Sequence, residues 1–325
     1  MRLVASAPQN NSAGSSMSER QTLKFLSQQF DQAGLHPKTK FGQNFLVDLN
    51  LIDLIARSAS IDEHDVVLEI GTGAGSLTTR MAPKAGHVVT VEIDPDLARV
   101  AQQQLNAYDN VTLLQMDALK SKSQFKEDLI QTIQACMQNV PQSRLKLVAN
   151  LPYNVATPII SNLLYFQPWP SGMVVTIQKE LAERIVAKPR TKDYSALSIW
   201  IQSQCECEIV RIMPPSVFWP RPKVDSAILK IEPKQELRSR LNDAPYFHAT
   251  VRAIFLHRRK YLRSALISAM KDQLDRNEVD AVLASQGLGP EARAEELTIE
   301  QMISLVEGCR LRSADKATTS PGESS

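Results

Sequence analysis

The 325-residue chain reads as an α/β fold followed by a smaller, all-helical unit. Apolar runs of strand length alternate with helical patterns as far as Glu232-Pro233, and the run Val66–Ile70 leads straight into a glycine turn, Gly71-Thr-Gly-Ala-Gly75. Beyond that point the strand pattern stops, and helical spacing fills Ala244–Cys309. The length suits one large domain plus a small one. A net charge of +2 means that any nucleic-acid surface must come from local clustering. Cys136, Cys205, Cys207 and Cys309 form no C-x-x-C pair and read as reduced thiols of a cytoplasmic protein. No apolar run is long enough to span a membrane, and the first residues, MRLVASAP, have too short an apolar core for a signal peptide.

Residues 1–18 are rich in Ser, Asn and Ala and read as a disordered tail, with Met17 an alternative start. Gln21–Ala33 has helical spacing and ends at Gly34. A polar Gly42-Gln-Asn44 between aromatics then suits a loop that folds over a ligand, and Asp48 caps a helix. The strand Val66–Ile70, its glycine turn and the helix after it make a nucleotide-cofactor loop, in which glycines let the backbone approach the ligand. The spacing is G-x-G-x-G, not the dinucleotide G-x-G-x-x-G. The next strand, His87–Ile93, carries Glu92, 21 residues after Gly71, where a carboxylate accepts from ribose hydroxyls. Asp94-Pro95 starts a helix. After the strand Val111–Gln115, Asp117 can accept from an adenine amino group. Each acid alone could be a cap or a surface charge. Together they follow successive strands at one sheet edge.

Ser121–Arg144 is polar and partly helical, with no assigned function. The apolar run Leu145–Ala149 then stops at Asn150-Leu-Pro-Tyr153, with Thr157-Pro158 reading as a helix start. An exocyclic amine has two N–H donors, and two acceptors face them here: the Asn150 side-chain oxygen and a carbonyl of the stiff Leu151-Pro152 backbone. That pair draws the nitrogen lone pair out of conjugation, and Tyr153 supplies a flat face for the base. An isolated N-x-P-Y is more often a polar turn after a buried strand. Further strands follow at Met173–Gln178, Glu208–Met213 and Val224–Ile231, with helices at Lys179–Val186 and from Ser195. Between the last two strands, Phe218 and Trp219 lie in a proline-rich loop beside Arg221 and Lys223. Such rigid aromatics next to cations fit an extruded base and its phosphates; the alternative is a buried packing loop.

Between Gln235 and Arg310 eleven basic residues balance eleven acidic ones, but Arg252, Arg258, Arg259, Lys260 and Arg263 fall together with no acid among them. On a helix face, five cations without counter-ions suit phosphate tracking better than a merely solvated surface. Residues 311–325 read as a second disordered tail.

The pieces together resemble the small-subunit ribosomal RNA adenine dimethyltransferase (KsgA) family, from about Leu35 to Val306. The resemblance is carried by Phe41-Gly-Gln-Asn-Phe-Leu46, Val67-Leu-Glu-Ile-Gly71, Glu92-Ile-Asp94, Asp117-Ala-Leu119, Asn150-Leu-Pro-Tyr-Asn154, Gln178-Lys-Glu180, Phe218-Trp-Pro-Arg-Pro-Lys-Val-Asp-Ser226 and Arg258-Arg-Lys260. It implies a class I S-adenosylmethionine-dependent methyltransferase fold: a Rossmann-like, seven-stranded sheet over residues 19–233 and a small all-α C-terminal domain over 234–310. It also implies N6,N6-dimethylation of two adjacent adenosines in the 3′-terminal hairpin of 16S rRNA, within the 30S subunit, by a monomer. S-adenosylmethionine is the implied methyl donor, with no metal and no general base. Carried over by position, Asn44, Leu46, Gly71, Gly73, Glu92, Asp117 and Asn150 would line the cofactor site. Asn150, Leu151, Tyr153 and Phe218 would hold the target base. Arg221, Lys223, Arg258, Arg259 and Lys260 would contact RNA. Thr72, Met116 and His257 stand where the family usually has proline, glycine and glutamine.

Competing readings are the related large-subunit rRNA methyltransferase and a non-catalytic binding protein on the same fold. Leu151, Arg258-Arg-Lys260 and the helical tail favour the small-subunit enzyme over the first. The intact Asn150–Tyr153 motif with Glu92 and Asp117 favours live chemistry over the second. The glycine spacing argues against a nicotinamide dehydrogenase.

Overall fold

A computed structural model describes Phe30, Gly34, Pro37, Lys38 and residues 42–319. The expected tail over 1–18, most of the Gln21–Ala33 helix, Phe41 and residues 320–325 lie outside the described residues. In chain order, the first elements are β1 (Phe45–Leu46), α1 (Leu49–Ser58), β2 (Asp65–Ile70), α2 (Thr78–Met81), β3 (His87–Glu92), α3 (Pro95–Leu105) and β4 (Val111–Gln115). A short hairpin of β5 (Leu119–Ser121) and β6 (Gln124–Phe125) follows, then α4 (Glu127–Asn139), β7 (Arg144–Asn150), α5 (Ala156–Leu163), β8 (Gly172–Gln178), α6 (Lys179–Ile185) and α7 (Ala196–Gln202). Next come β9 (Cys205–Met213), β10 (Phe218–Trp219) and β11 (Ser226–Pro233). The helices α8 (Gln235–Arg238), α9 (Ala244–Phe255), α10 (Leu262–Ala269), α11 (Arg276–Ser285) and α12 (Ile299–Thr319) complete the described chain.

Seven strands form one sheet in the order β4-β3-β2-β7-β8-β11-β9. The first five are parallel; β11 runs antiparallel to both β8 and β9. From β2 the chain goes outward through β3 and β4, then returns to place β7 on β2's other side. That reversal opens a crevice at the strands' carboxyl ends, where open α/β sheets take ligands.

Strand alternation divides the core into two layers. On β7, Leu145, Leu147 and Ala149 face one buried cluster, and Val148 faces the other. The second layer holds α1 and α2. The first takes in α4 to α7 and continues into the C-terminal helices through Phe247, Val251 and Ile254 of α9. There the His248 ring stacks on the fully buried Trp200 at 4.2 Å between centroids.

The Asp48 and Asp94 caps stand where the sequence places them: each side chain accepts a backbone N–H of its helix, and Pro95 opens α3. Two local expectations are corrected and a third, the partly helical Ser121–Arg144, is extended. Thr157 does not cap α5. The Pro152 carbonyl accepts the Val155 N–H, and the helix grows directly from that turn with Val155 as its cap. Ser121–Arg144 contains a hairpin as well as a helix. Residues 311–319 continue α12 rather than starting a tail, with the Ser313 hydroxyl bonded back to the Cys309 carbonyl.

Gly86, just before β3, leaves no room for a side chain. A Cβ there would stand 2.3 Å from the Glu63 carbonyl oxygen and 2.7 Å from Val140. Gly86→Ala is expected to cost about 3 kcal/mol of stability, as overpacking against backbone does. Urea denaturation measures this, and a change below about 0.5 kcal/mol would refute the packing account.

Candidate active site

Four strand ends converge on a cavity of about 310 Å³. Gly71 and Gly73 follow β2, Glu92 ends β3, Asp117 follows β4 and Asn150 ends β7; all five line it. Both glycines have positive φ, +90° and +57°, a conformation that favours glycine and brings the backbone to the cavity wall. Gly42, Gln43 and Asn44 form part of the wall from the N-terminal side. They are tied down at the start of α3, where Gln43 Nε2 donates to Asp94 at 3.0 Å and Lys38 Nζ bridges Asp94 and Asp96 at 2.8 and 2.9 Å.

Glu92 is 4% exposed, and burial raises its pKa, opposed by backbone donors. Its Oε2 accepts the Gly73 N–H at 2.8 Å and its Oε1 the Asp94 N–H at 3.0 Å. One carboxylate thus joins the glycine turn to the α3 cap, with lone pairs remaining for ligand hydroxyls. Asp117 is exposed, and one oxygen accepts the Leu119 N–H.

The polar side chain at the end of β7 is oriented from a distant segment. Asn150 Nδ2 donates to the Asn44 carbonyl at 2.9 Å, which leaves Oδ1 as the acceptor with no hydrogen bond among the described residues. The Leu151 N–H is used by the Thr176 carbonyl at 3.1 Å, holding the backbone whose own carbonyl follows. The Tyr153 hydroxyl meets the Ser226 hydroxyl at 2.6 Å, so its ring is held at the cavity edge.

Not every expected residue reaches this cavity. Phe218 is 2% exposed and packs with Leu46, Val148, Val174, Met213 and Ile228 beneath the sheet. The short β10 pairs Phe218 with Leu46 and Trp219 with Phe45, and alternation sends the two aromatics to opposite sides. Trp219 joins Phe30 and Phe45 in an aromatic group. Phe218 as a wall for the base is therefore corrected to the packing alternative. Leu46 lines only a smaller neighbouring cavity that shares Gly71, Gly73 and Asn150.

Among the predicted cations, Arg221, Lys223, Arg259 and Lys260 are exposed, and Arg258 is partly buried. Arg258 is not free for RNA: its Nε meets Glu295 at 2.7 Å and its Nη2 donates to the Lys192 carbonyl at 2.7 Å. Arg263 is bidentate to Asp280. The cluster lacks acids in sequence but not in space. It also spans a turn between α9 and α10 rather than one helix face.

The sequence reading missed Ile93 and Met116 on the wall. Each adjoins a predicted acid, which was the available signal. It also missed Glu69 on β2, fully buried behind the glycine turn. Thr78 and Thr90 hydroxyls donate to its Oε2 at 2.5 and 2.7 Å, and Thr72 bonds Thr90 in turn. Burial pushes the Glu69 carboxyl up to about 8 from an ordinary 4.5. A folded-state value raised in this way gives stability that is complete below about pH 4.5 and is lost as pH rises through about 8. Thermal midpoints of the wild type should therefore fall relative to Glu69→Gln between pH 6 and 9. Parallel curves would refute a neutral Glu69 in the native state.

A seven-stranded sheet, five strands of it parallel, with its glycine turn and two acids at successive strand tips, followed by an Asn-Leu-Pro-Tyr acceptor turn, defines a class I methyltransferase. The profile of the ribosomal RNA adenine dimethylase family matches residues 34–310. The chain belongs to that family. A "Ribosomal RNA small subunit methyltransferase A" of Halothermothrix orenii is 39% identical over 80% of this chain and 84% of its own length. A solved dimethyladenosine transferase from Plasmodium falciparum superposes with a TM-score of 0.68 at 25% identity, over 82% of this chain and 97% of that one. The solved 23S rRNA methyltransferase ErmE gives 0.56 at 25% identity, over 82% and 99%.

Proposed function

We propose that this enzyme transfers methyl groups from S-adenosylmethionine to the N6 amino groups of two adjacent adenosines in the 3′-terminal hairpin of 16S rRNA, within the 30S subunit. The observation that carries this is the Asn150–Leu151 pair: an amide oxygen aimed by Asn44 and a carbonyl on a proline-stiffened turn, beside the Tyr153 ring. The cavity suits the donor in size, and its polar groups suit an adenosine. Glu92 would accept from the ribose, Asp117 from the adenine amine, and the positive-φ glycines leave the backbone close to the ligand. Asn44 would complete the wall.

Bound S-adenosylmethionine would supply a methyl group already activated by a positively charged sulfur. The chain's own task is alignment. Asn150 Oδ1 and the Leu151 carbonyl accept the two N–H groups of the target amine and turn its lone pair toward the donor. Tyr153 stacks on the extruded base, its ring fixed by Ser226. Glu92 and Asp117 act as cofactor acceptors. The methylated nitrogen is an acidic ammonium that loses its proton to water or through the Asn150 site; a single N–H then remains, so one acceptor must tolerate a methyl group. Arg221, Lys223, Arg259 and Lys260 supply exposed positive charge for RNA. Among the described residues no helix is long and apolar enough to cross a membrane.

The test offers unmethylated small subunits and, in parallel, unmethylated large-subunit RNA, each with labelled S-adenosylmethionine, then maps the product. Two adjacent dimethyladenosines near the 3′ end are expected. Label confined to large-subunit RNA would favour the ErmE-like alternative, and label on neither would reject both.

A further inference from the structure

Three carboxylates crowd the end of β3 and the start of α3: Glu92, Asp94 and Asp96. Glu92 and Asp94 are 4% and 2% exposed, and the Asp94 N–H donates to Glu92 Oε1 at 3.0 Å. Charges so far out of water need a partner. Lys38 makes the only ion pair of Asp94 among the described residues, at 2.8 Å, and reaches Asp96 at 2.9 Å. Arg99 pairs with Asp96. A second tie runs beside the first. The Gln43 side chain accepts the Lys38 backbone N–H at 2.6 Å and donates to Asp94 Oδ2 at 3.0 Å. The stretch Gly42–Asn44 is thus fixed to α3 on one side of the cavity and to β7 on the other, where the Asn44 carbonyl accepts from Asn150. Capping α3 needs none of this: Asp94 Oδ1 already accepts the Asp96 N–H, and Pro95 opens the helix. An ordinary surface bridge is worth little. This one ends on a buried carboxylate whose own N–H holds Glu92.

We propose that Lys38 is a positioning residue for the cofactor site: its ammonium neutralises Asp94, and so leaves Glu92 to serve as the acceptor for the ligand while Gln43 holds the cavity wall in place. This role rests on the S-adenosylmethionine site proposed above. Burial favours a neutral Asp94, yet the Lys38 and Gln43 hydrogen bonds hold its carboxyl below the ordinary range. Burial raises the Glu92 carboxyl, and the Asp94 charge adds to the rise. The neighbouring strands bring further acids, Glu69 on β2 and the exposed Asp117 after β4. Without Lys38, two carboxylates joined through one N–H face each other unneutralised, and like charges so close resist ionising together. The proton they then take up weakens Glu92 as an acceptor.

The test uses the full chain. Lys38→Met keeps the reach of the side chain and removes its charge. By calorimetric titration its affinity for S-adenosylmethionine should fall roughly tenfold at pH 7, on the scale of one hydrogen bond to a charged group. The loss should shrink as pH rises and the carboxylate pair ionises, so the acid limb of affinity against pH moves upward. Lys38→Arg should restore both affinity and pH profile. Single-turnover methylation of small subunits at saturating cofactor should stay within about twofold of the wild type, because Lys38 meets no reacting atom. Without ligand, hydrogen-exchange protection of the Gly73 and Asp94 amides, the two donors to Glu92, should fall in Lys38→Met. Unchanged affinity in Lys38→Met would overturn the proposal while leaving the cofactor site intact. So would a loss equal at every pH, or one that Lys38→Arg does not restore, since a merely structural tie behaves in that way. A wild-type chain that does not bind S-adenosylmethionine would remove the site itself, and the role of Lys38 with it.

Discussion

Asn150→Ala is expected to lower the single-turnover rate of methyl transfer by about a thousandfold, on the scale of removing one preorganised polar contact to reacting atoms. The alanine loses Oδ1, the acceptor proposed for the target amine. It also loses the Nδ2 bond to the Asn44 carbonyl, which ties the N-terminal loop to the end of β7. Cofactor affinity should therefore fall too, but only by roughly fivefold, the worth of about one hydrogen bond. Rapid-quench methylation and calorimetric titration with S-adenosylmethionine separate the two effects. Asn150→Asp keeps an acceptor but loses the donor to Asn44, and should retain part of the rate with a weaker hold on the loop. Full activity in the alanine variant would end the amine-polarising account.

Glu92→Gln comes second. The change is nearly isosteric, but both carboxylate oxygens already accept backbone N–H groups, from Gly73 and from Asp94. An amide must turn its NH₂ toward one of them and leave a buried donor facing a donor. The expected cost is about 2 kcal/mol of stability, and about a hundredfold in cofactor affinity because the glycine turn is no longer held and a ligand acceptor is lost. Thermal denaturation without ligand and titration with S-adenosylmethionine measure the two. A variant that folds and binds like the wild type would refute both the double backbone bridge and the ligand-acceptor role of Glu92.

What could be read from sequence was local. A strand that ends in Gly71-Thr-Gly-Ala-Gly75, an acid 21 residues on, and Asn150-Leu-Pro-Tyr153 after an apolar run each carry their signal within a few residues, because a ligand at strand tips meets the chain there. What failed depended on partners elsewhere. Phe218 looks like an exposed aromatic beside cations, but its two-residue strand pairs with Leu46 and turns the ring into the core. Arg258 looks unpaired because Glu295 is 37 residues away. Glu69 reads as one more strand residue, and only the packing of α2 and β3 around it gives it two hydroxyl donors.

The sequence alone thus determined the kind of sheet, the strand tips that line the main cavity and the acceptor motif on β7, since each is written in contiguous residues with fixed backbone preferences. Tertiary structure alone decided which way those groups point: Asn150 is aimed by a carbonyl 106 residues away and Tyr153 by a hydroxyl 73 residues away. Hydrogen bonds and burial act over a few ångströms of space, whatever the separation along the chain, so orientation and partnership had to wait for the fold.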